Sequence, residues 1–255
     1  MISNPVTGAG YFFKGLSLIN KPGVRRFVIV PLLINILIFA GLIWFSADQF
    51  GVFIDWFTPT LPEWLLWLTW LLWLVFGLMA FIVLFFGFTL LANLVGAPFN
   101  SYLAAAVEKH LTGQPVPDSG KTLGQDIVDG VLGELKKILY YLMWAIPLFI
   151  ISFIPGINLL SPLLWAIFGA WMLSLEYTDY PLGNYGLTFP AIRQKISEQR
   201  MLSLGYGAAV MLATLIPLFN FLVMPVAVAG ATALRVEQIP LETLPQSETE
   251  KLPES

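Results

Sequence analysis

The sequence predicts an all-α integral membrane protein with two long transmembrane helices, two re-entrant, partly penetrating helical hairpins and cytoplasmic amphipathic helices. Three observations lead there. Of 255 residues 57% are hydrophobic and 11% charged, against about a quarter charged in ordinary soluble domains. Uncharged apolar runs reach the length of a bilayer crossing. Two of these runs are broken near their middles by Pro and Asn while basic residues stand at both ends, so each must return to the side it left.

Residues 1–19 lack the basic start, apolar core and small-residue cleavage site of a signal peptide and are expected in the mature chain. Residues 27–47 are 21 uncharged positions, about 31 Å of helix, enough for one crossing. Lys21, Arg25 and Arg26 precede this span, Pro31 falls in its first turns, where a missing amide costs least, and Asn35 is its strongly polar side chain. Residues 48–63 hold Asp48, Asp55 and Glu63, and none of the 13 Lys and Arg residues falls among them. By the positive-inside tendency this segment is expected outside, and both termini in the cytoplasm.

Residues 64–107 carry no charge and open with Trp64, Trp67, Trp70 and Trp73 at every third position. Indoles prefer the headgroup boundary, so these are expected to anchor a second span over residues 64–93. Gly96, Pro98 and Asn100 then predict an interruption, with residues 101–111 resuming as a helix whose end, Glu108, Lys109 and His110, is solvated. His110 is expected to be neither catalytic nor a metal ligand. After a loop containing Gly113, Pro115, Pro117 and Gly120, Ile127, Val131, Leu135 and Ile138 recur at helical spacing and predict an amphipathic helix leading into lipid.

The predicted hairpins cover residues 138–175 and 201–234. Pro155 and Gly156 cut the first run into pieces of about 17 and 19 residues, and Pro217 with Asn220 cuts the second into about 16 and 14. Pieces of the second run would reach only about 21 to 24 Å, short of a hydrocarbon core of about 30 Å. Both breaks read Ile-Pro-x-x-Asn followed by apolar residues and another Pro, a weak internal repeat beginning at Ile154 and at Ile216. Non-helical backbone at that depth survives only when buried in protein or facing water. A single membrane domain over residues 1–236 and a disordered acidic tail over residues 237–255 complete the expected organisation.

Composition narrows the function classes. With no Cys, the chain can form neither disulfides nor thiolate metal sites, and a net charge of −3 without a basic patch gives nucleic acid no footing. No nucleophile, base and metal-ligand set converges, so no enzyme, cofactor or metal is expected. The run Glu176-Tyr177-Thr178-Asp179-Tyr180-Pro181 could suggest acid/base chemistry or proton coupling, but a structural tie to Arg193 and Arg200 is favoured. The most suggestive segment is Gly15-Leu16-Ser17-Leu18-Ile19, then Asn20-Lys21-Pro22-Gly23, then Arg25-Arg26. Loop glycines and helix-start amides can point at an anion, and paired guanidinium groups offer forked donors to a tetrahedral oxyanion. Taken locally, the reading of Arg25 and Arg26 as helix anchors that set topology is favoured.

The Gly-Leu-Ser-Leu-Ile segment followed by Arg-Arg, the Trp-rich second helix, the run Asn-Leu-Val-Gly-Ala-Pro-Phe-Asn from Asn93 to Asn100 and the run Leu-Glu-Tyr-Thr-Asp-Tyr-Pro from Leu175 to Pro181 resemble the bacterial inner-membrane sulfate permeases of the CysZ family. Over residues 5–236 this resemblance implies sulfate uptake for cysteine biosynthesis, without ATP hydrolysis, by a homo-oligomer in contact with membrane lipids. It further implies a sulfate site made by Gly15, Leu16, Ser17, Leu18 and Ile19 through backbone amides and the Ser17 hydroxyl, and by the Arg25 and Arg26 side chains. A different class also fits the half-crossing segments: a non-transporting membrane scaffold or lipid-interacting protein, whose arginines would meet lipid phosphates.

Overall fold

A computed structural model describes residues 4–57, 62, 64, 69–117, 123–217 and 219–240. Regular structure among the described residues is helical: α1 (Pro5–Leu18), α2 (Arg26–Phe57), α3 (Thr69–Thr112), α4 (Leu123–Ile151), a 3-10 turn (Ile157–Leu160), α5 (Ser161–Gly183), α6 (Phe189–Ser197), α7 (Arg200–Thr214) and α8 (Asn220–Gln238). The chain divides into two compact units, residues 26–100 and residues 1–25 together with 101–255.

The unit of residues 26–100 contains α2 and the first part of α3. Residues Arg26–Phe45 have a mean hydropathy of 2.6, and Ile29, Leu33, Leu37, Phe39, Trp44 and Phe45 are all exposed. A helix apolar on every side is suited to lipid. α2 runs past the predicted boundary at residue 47 and carries Asp48 and Asp55 on helix as far as Phe57, since no proline interrupts residues 48–57. The interruption predicted at Gly96, Pro98 and Asn100 is absent, and α3 continues to Thr112. One proline forfeits one amide donor, whereas opening an apolar helix frees several backbone groups that lipid cannot satisfy. Glu63 and Trp67 lie outside the described residues; Trp64, Trp70 and Trp73 are exposed.

The other unit is built around α8, whose residues from Val226 to Arg235 are all buried. α1 packs against α7 and α8, and α5 against the same two helices. Small residues allow these approaches: a Cβ at Gly205 would lie 1.9 Å from the Pro5 carbonyl oxygen of α1. Tyr206, fully buried on α7, donates from its hydroxyl to the Ala227 carbonyl at 2.5 Å. Asn4 caps α1, its side-chain oxygen accepting from the Val6 amide at 2.9 Å.

Both broken apolar runs fold back as antiparallel helix pairs. In α4 and α5, Ser152 meets Ser161 at 2.5 Å near the turn, and the Trp171 indole donates to the Tyr140 hydroxyl at 3.1 Å further down. In α7 and α8, Gln199 donates to the Gln238 carbonyl at the open end. The sequence repeat is also a repeat in backbone bonding. Asn158 N–H donates to Ile154 C=O at 2.9 Å, and Asn220 N–H to Ile216 C=O at 2.9 Å. Each outgoing helix tightens just before, Ile154 bonding to Ile151 at 3.1 Å and Ile216 to Ala213 at 3.2 Å. Gly156, at φ 86°, supplies the left-handed residue that the first turn needs.

Further boundaries differ from expectation, α5 among them, which runs past residue 175 to Gly183. The predicted amphipathic helix and the first arm of the hairpin form one helix, α4, of 29 residues. The last piece of the second run is longer than predicted: α8 has 19 residues because it continues through Arg235 to Gln238. By length and composition alone, Arg26–Phe45, Ile157–Gly183 and Asn220–Gln238 suffice to cross a membrane. The acidic tail lies outside the described residues from 241 onward.

Candidate functional site

The segment expected to hold an anion begins on a helix and not in a loop. Gly15 to Leu18 form the last turn of α1, where each amide faces back toward the carbonyl four residues earlier, and Ile19 N–H donates to Gly15 C=O at 3.1 Å. Gly15 is buried, and a Cβ there would lie 2.1 Å from the Val226 carbonyl oxygen and 2.7 Å from the Gly230 nitrogen. Its glycine is therefore required by the crossing of α1 over α8. Leu18 and Ile19 are buried in the core, whereas Leu16 and Ser17 face outward. The Ser17 hydroxyl donates to Lys14 C=O at 2.7 Å, so binding an anion requires it to rotate.

A compact turn follows. Lys21 N–H donates to Leu18 C=O at 3.0 Å and Arg25 N–H to Lys21 C=O at 3.1 Å. Gly23 takes φ 84°, and the fully buried Val24 pins the turn to the core. Arg25 is exposed and closes this unit; Arg26, also exposed, opens α2 with its guanidinium 4.6 Å from the Phe27 ring centroid. A helix end is negative at its C-terminus and positive at its N-terminus. Taken element by element, the end of α1 opposes an anion, and the start of α2 and the arginine charges favour one.

Several charged side chains in the unit of residues 1–25 and 101–255 are paired. Glu108, expected at a solvated helix end, is buried; its Oε1 receives Arg235 Nη1 at 2.5 Å and the Tyr185 hydroxyl. The Arg235 guanidinium also stacks 4.2 Å from the Tyr185 ring centroid. Burial, followed by the bond to Glu108, raises the pKa of the Tyr185 phenol. Lys109 and His110 are exposed as expected. This cluster went unforeseen, although Arg235 ends a run of 34 uncharged residues, a position that demands a partner.

The acidic run near the end of α5 does not reach Arg193 or Arg200, as the sequence suggested. Lys137 of α4 takes both carboxylates, Asp179 at 2.8 Å and Glu176 at 3.1 Å, and adds Glu134 at 2.8 Å. Lys137 sits one helix face away across the hairpin, closer than either arginine. Burial alone would lower the pKa of Lys137, but the surrounding carboxylates outweigh it and hold the amine above its ordinary range. Lys14 likewise pairs with Glu237, tying α1 to the end of α8. Among the described residues no cluster of His, Asp and Glu could hold a metal.

By sequence, the chain is similar to known transporters. Residues 11–225 match the model of the family described as Sulfate transporter CysZ/Etoposide-induced protein 2.4. The chain is 43% identical over 242 residues to a sulfate transporter CysZ of Pseudomonas fluorescens, covering 94% of this chain and 97% of that protein. It is 42% identical over 234 residues to one from Pectobacterium atrosepticum, covering 91% and 85%. Against one from Pseudomonas aeruginosa the identity is 40% over 235 residues, covering 91% and 96%.

Proposed function

Because the chain belongs to the family described as Sulfate transporter CysZ/Etoposide-induced protein 2.4, we propose that it is a permease or channel-like transporter carrying sulfate across the bacterial inner membrane for cysteine biosynthesis. The observation that carries this is the unneutralised pair Arg25 and Arg26. Lys14, Lys137 and Arg235 each hold a carboxylate, whereas neither Arg25 nor Arg26 is in an ion pair among the described residues. Two adjacent guanidinium groups at the start of a membrane helix suit a divalent tetrahedral anion by charge and by forked donors.

The proposed site comprises Arg25 and Arg26 with Gly15, Leu16, Ser17, Leu18 and Ile19. The arginines carry the attraction, and Ser17 contributes its hydroxyl after releasing Lys14 C=O. The amides of the last α1 turn become donors to sulfate only if that turn opens. Such a site binds weakly enough to let the ion go, as conduction requires.

Both termini lie in the cytoplasm, and the two helix pairs enter and leave the membrane on that side. In support, the charge-free arms of residues 138–151 and 201–214 each reach about 21 Å, and those of residues 161–175 and 220–234 about 22 Å, all short of the hydrocarbon thickness. Both tips are exposed and apolar, with Phe153 and Leu159 on one and Leu215 and Phe221 on the other. The chain acts as a homo-oligomer within the lipid.

Equilibrium binding of labelled sulfate to the purified protein tests the site. Selenate should compete fully and chloride weakly, and the R25A/R26A double substitution should abolish binding. Unchanged binding in the double variant removes the arginines from the site and leaves the scaffold alternative, in which they serve lipid.

A further inference from the structure

A second cationic locus lies in the groove between the first helix pair and the short helix α6. This cavity has a volume of about 1040 Å³ and is walled by α4, α5, α6 and α7. It is polarised along its length. On α4 the lining residues Tyr140, Met143, Trp144 and Leu148 follow one helical face from the base toward the tip, a run of roughly 12 Å. On α5, Trp171, Phe168, Ile167 and Leu164 descend the facing side in the opposite sense. Trp171 is fixed to Tyr140 by its indole bond at 3.1 Å. The far end of the groove is thus wholly apolar.

At the base the lining changes to Arg193, Gln194, Ser197 and Arg200. α6 explains why they face the groove: Phe189, Ile192 and Ile196 turn to the core, which leaves its other face outward. The Arg193 guanidinium lies 5.0 Å from the Tyr140 ring centroid, holding it at the mouth of the aromatic wall. Glu176 and Asp179, the nearby carboxylates, are taken by Lys137, and Glu198 faces Lys195 at 3.8 Å. Neither Arg193 nor Arg200 is in an ion pair among the described residues.

We infer that this groove binds one anionic glycerophospholipid, with its phosphate between Arg193 and Arg200 and the upper part of an acyl chain along Trp144, Ile167 and Leu164. Charge complementarity fixes the headgroup end, and the apolar wall fixes the rest. A free inorganic oxyanion would occupy only the arginine end and leave the larger, apolar part of the cavity unfilled. The groove also begins at the charged base of the hairpin and runs toward its apolar tip, the polarity that a lipid has in its own leaflet. The inference shares the membrane placement proposed above but not the sulfate site.

Native mass spectrometry of the detergent-purified full chain, titrated with dioleoyl phosphatidylglycerol, dioleoyl phosphatidylcholine or inorganic phosphate, reads the site directly. Phosphatidylglycerol should bind roughly twenty-five-fold more tightly than phosphatidylcholine, about a factor of five from each arginine. R193Q/R200Q should erase that preference, R193K/R200K should restore it, and R25A/R26A should leave it intact. Millimolar inorganic phosphate should not displace phosphatidylglycerol. A preference that survives R193Q/R200Q overturns the assignment, and displacement by inorganic phosphate alone reduces the groove to a simple oxyanion site. Because lipid selectivity at Arg193 and Arg200 and sulfate binding at Arg25 and Arg26 are read in separate variants, either can fail without the other.

Discussion

Arg235 and Glu108 show how a charge can sit inside this chain at all. Each has its partner within hydrogen-bond reach, and Tyr185 adds its hydroxyl to Glu108 and its ring to Arg235. Removing one member strands the other: E108A is expected to cost about 3–5 kcal/mol, measured by thermal or denaturant unfolding in detergent. An E108L/R235L double variant should recover most of that loss, and equal damage from single and double variants would show that the pair is not coupled. Lys137 offers a pH test. Its folded pKa is raised, so its contribution is complete below the unfolded value of about 10.4 and fades only as pH climbs through the folded value. The destabilisation by K137M should therefore be the same at pH 6 and pH 9, and a penalty that shrinks between them would mean the amine titrates there. Such pairings were hidden from the sequence. Glu108 reads as a helix end and Arg235 as a topology anchor, and nothing local joins positions 127 apart.

At the scale of elements, periodicity and punctuation revealed more. The two Ile-Pro-x-x-Asn breaks were legible because proline and a following Asn stop an apolar helix, and both produce the same Asn-to-Ile backbone bond. Gly96 and Pro98 carried a similar signal yet left α3 unbroken, since in an apolar run the surroundings decide whether a helix yields to one proline. Gly15 misled in the other direction. It reads as a loop glycine, but its role is to let α1 lie against α8 with no Cβ between them. G15V is accordingly expected to destabilise the α1–α8 contact by about 1–3 kcal/mol, seen as earlier melting and faster proteolysis of the N-terminal segment; wild-type stability would deny the close crossing. The hairpin tips supply a separate test. Cysteines placed at Asn158 and Asn220 should resist impermeant thiol reagents added from the periplasm in intact cells, and ready labelling would mean that the helices cross completely.

For the whole molecule, composition and charge asymmetry make membrane residence legible, and the order of several weak motifs makes the family legible. The composition of the anion site was less so, because spacing cannot distinguish amides that point at a ligand from amides already bonded within a helix. Arg25 and Arg26 are proposed to carry the attraction: neither is in an ion pair among the described residues, whereas Lys14, Lys137 and Arg235 each hold a carboxylate. Whether this pair serves sulfate movement across the bilayer is read by sulfate flux into liposomes containing only the purified protein. Saturable entry of labelled sulfate is expected, inhibited by selenate and reduced to the level of empty liposomes by R25A/R26A. Flux by the wild type no greater than that of empty liposomes, or undiminished flux in the double variant, would contradict it.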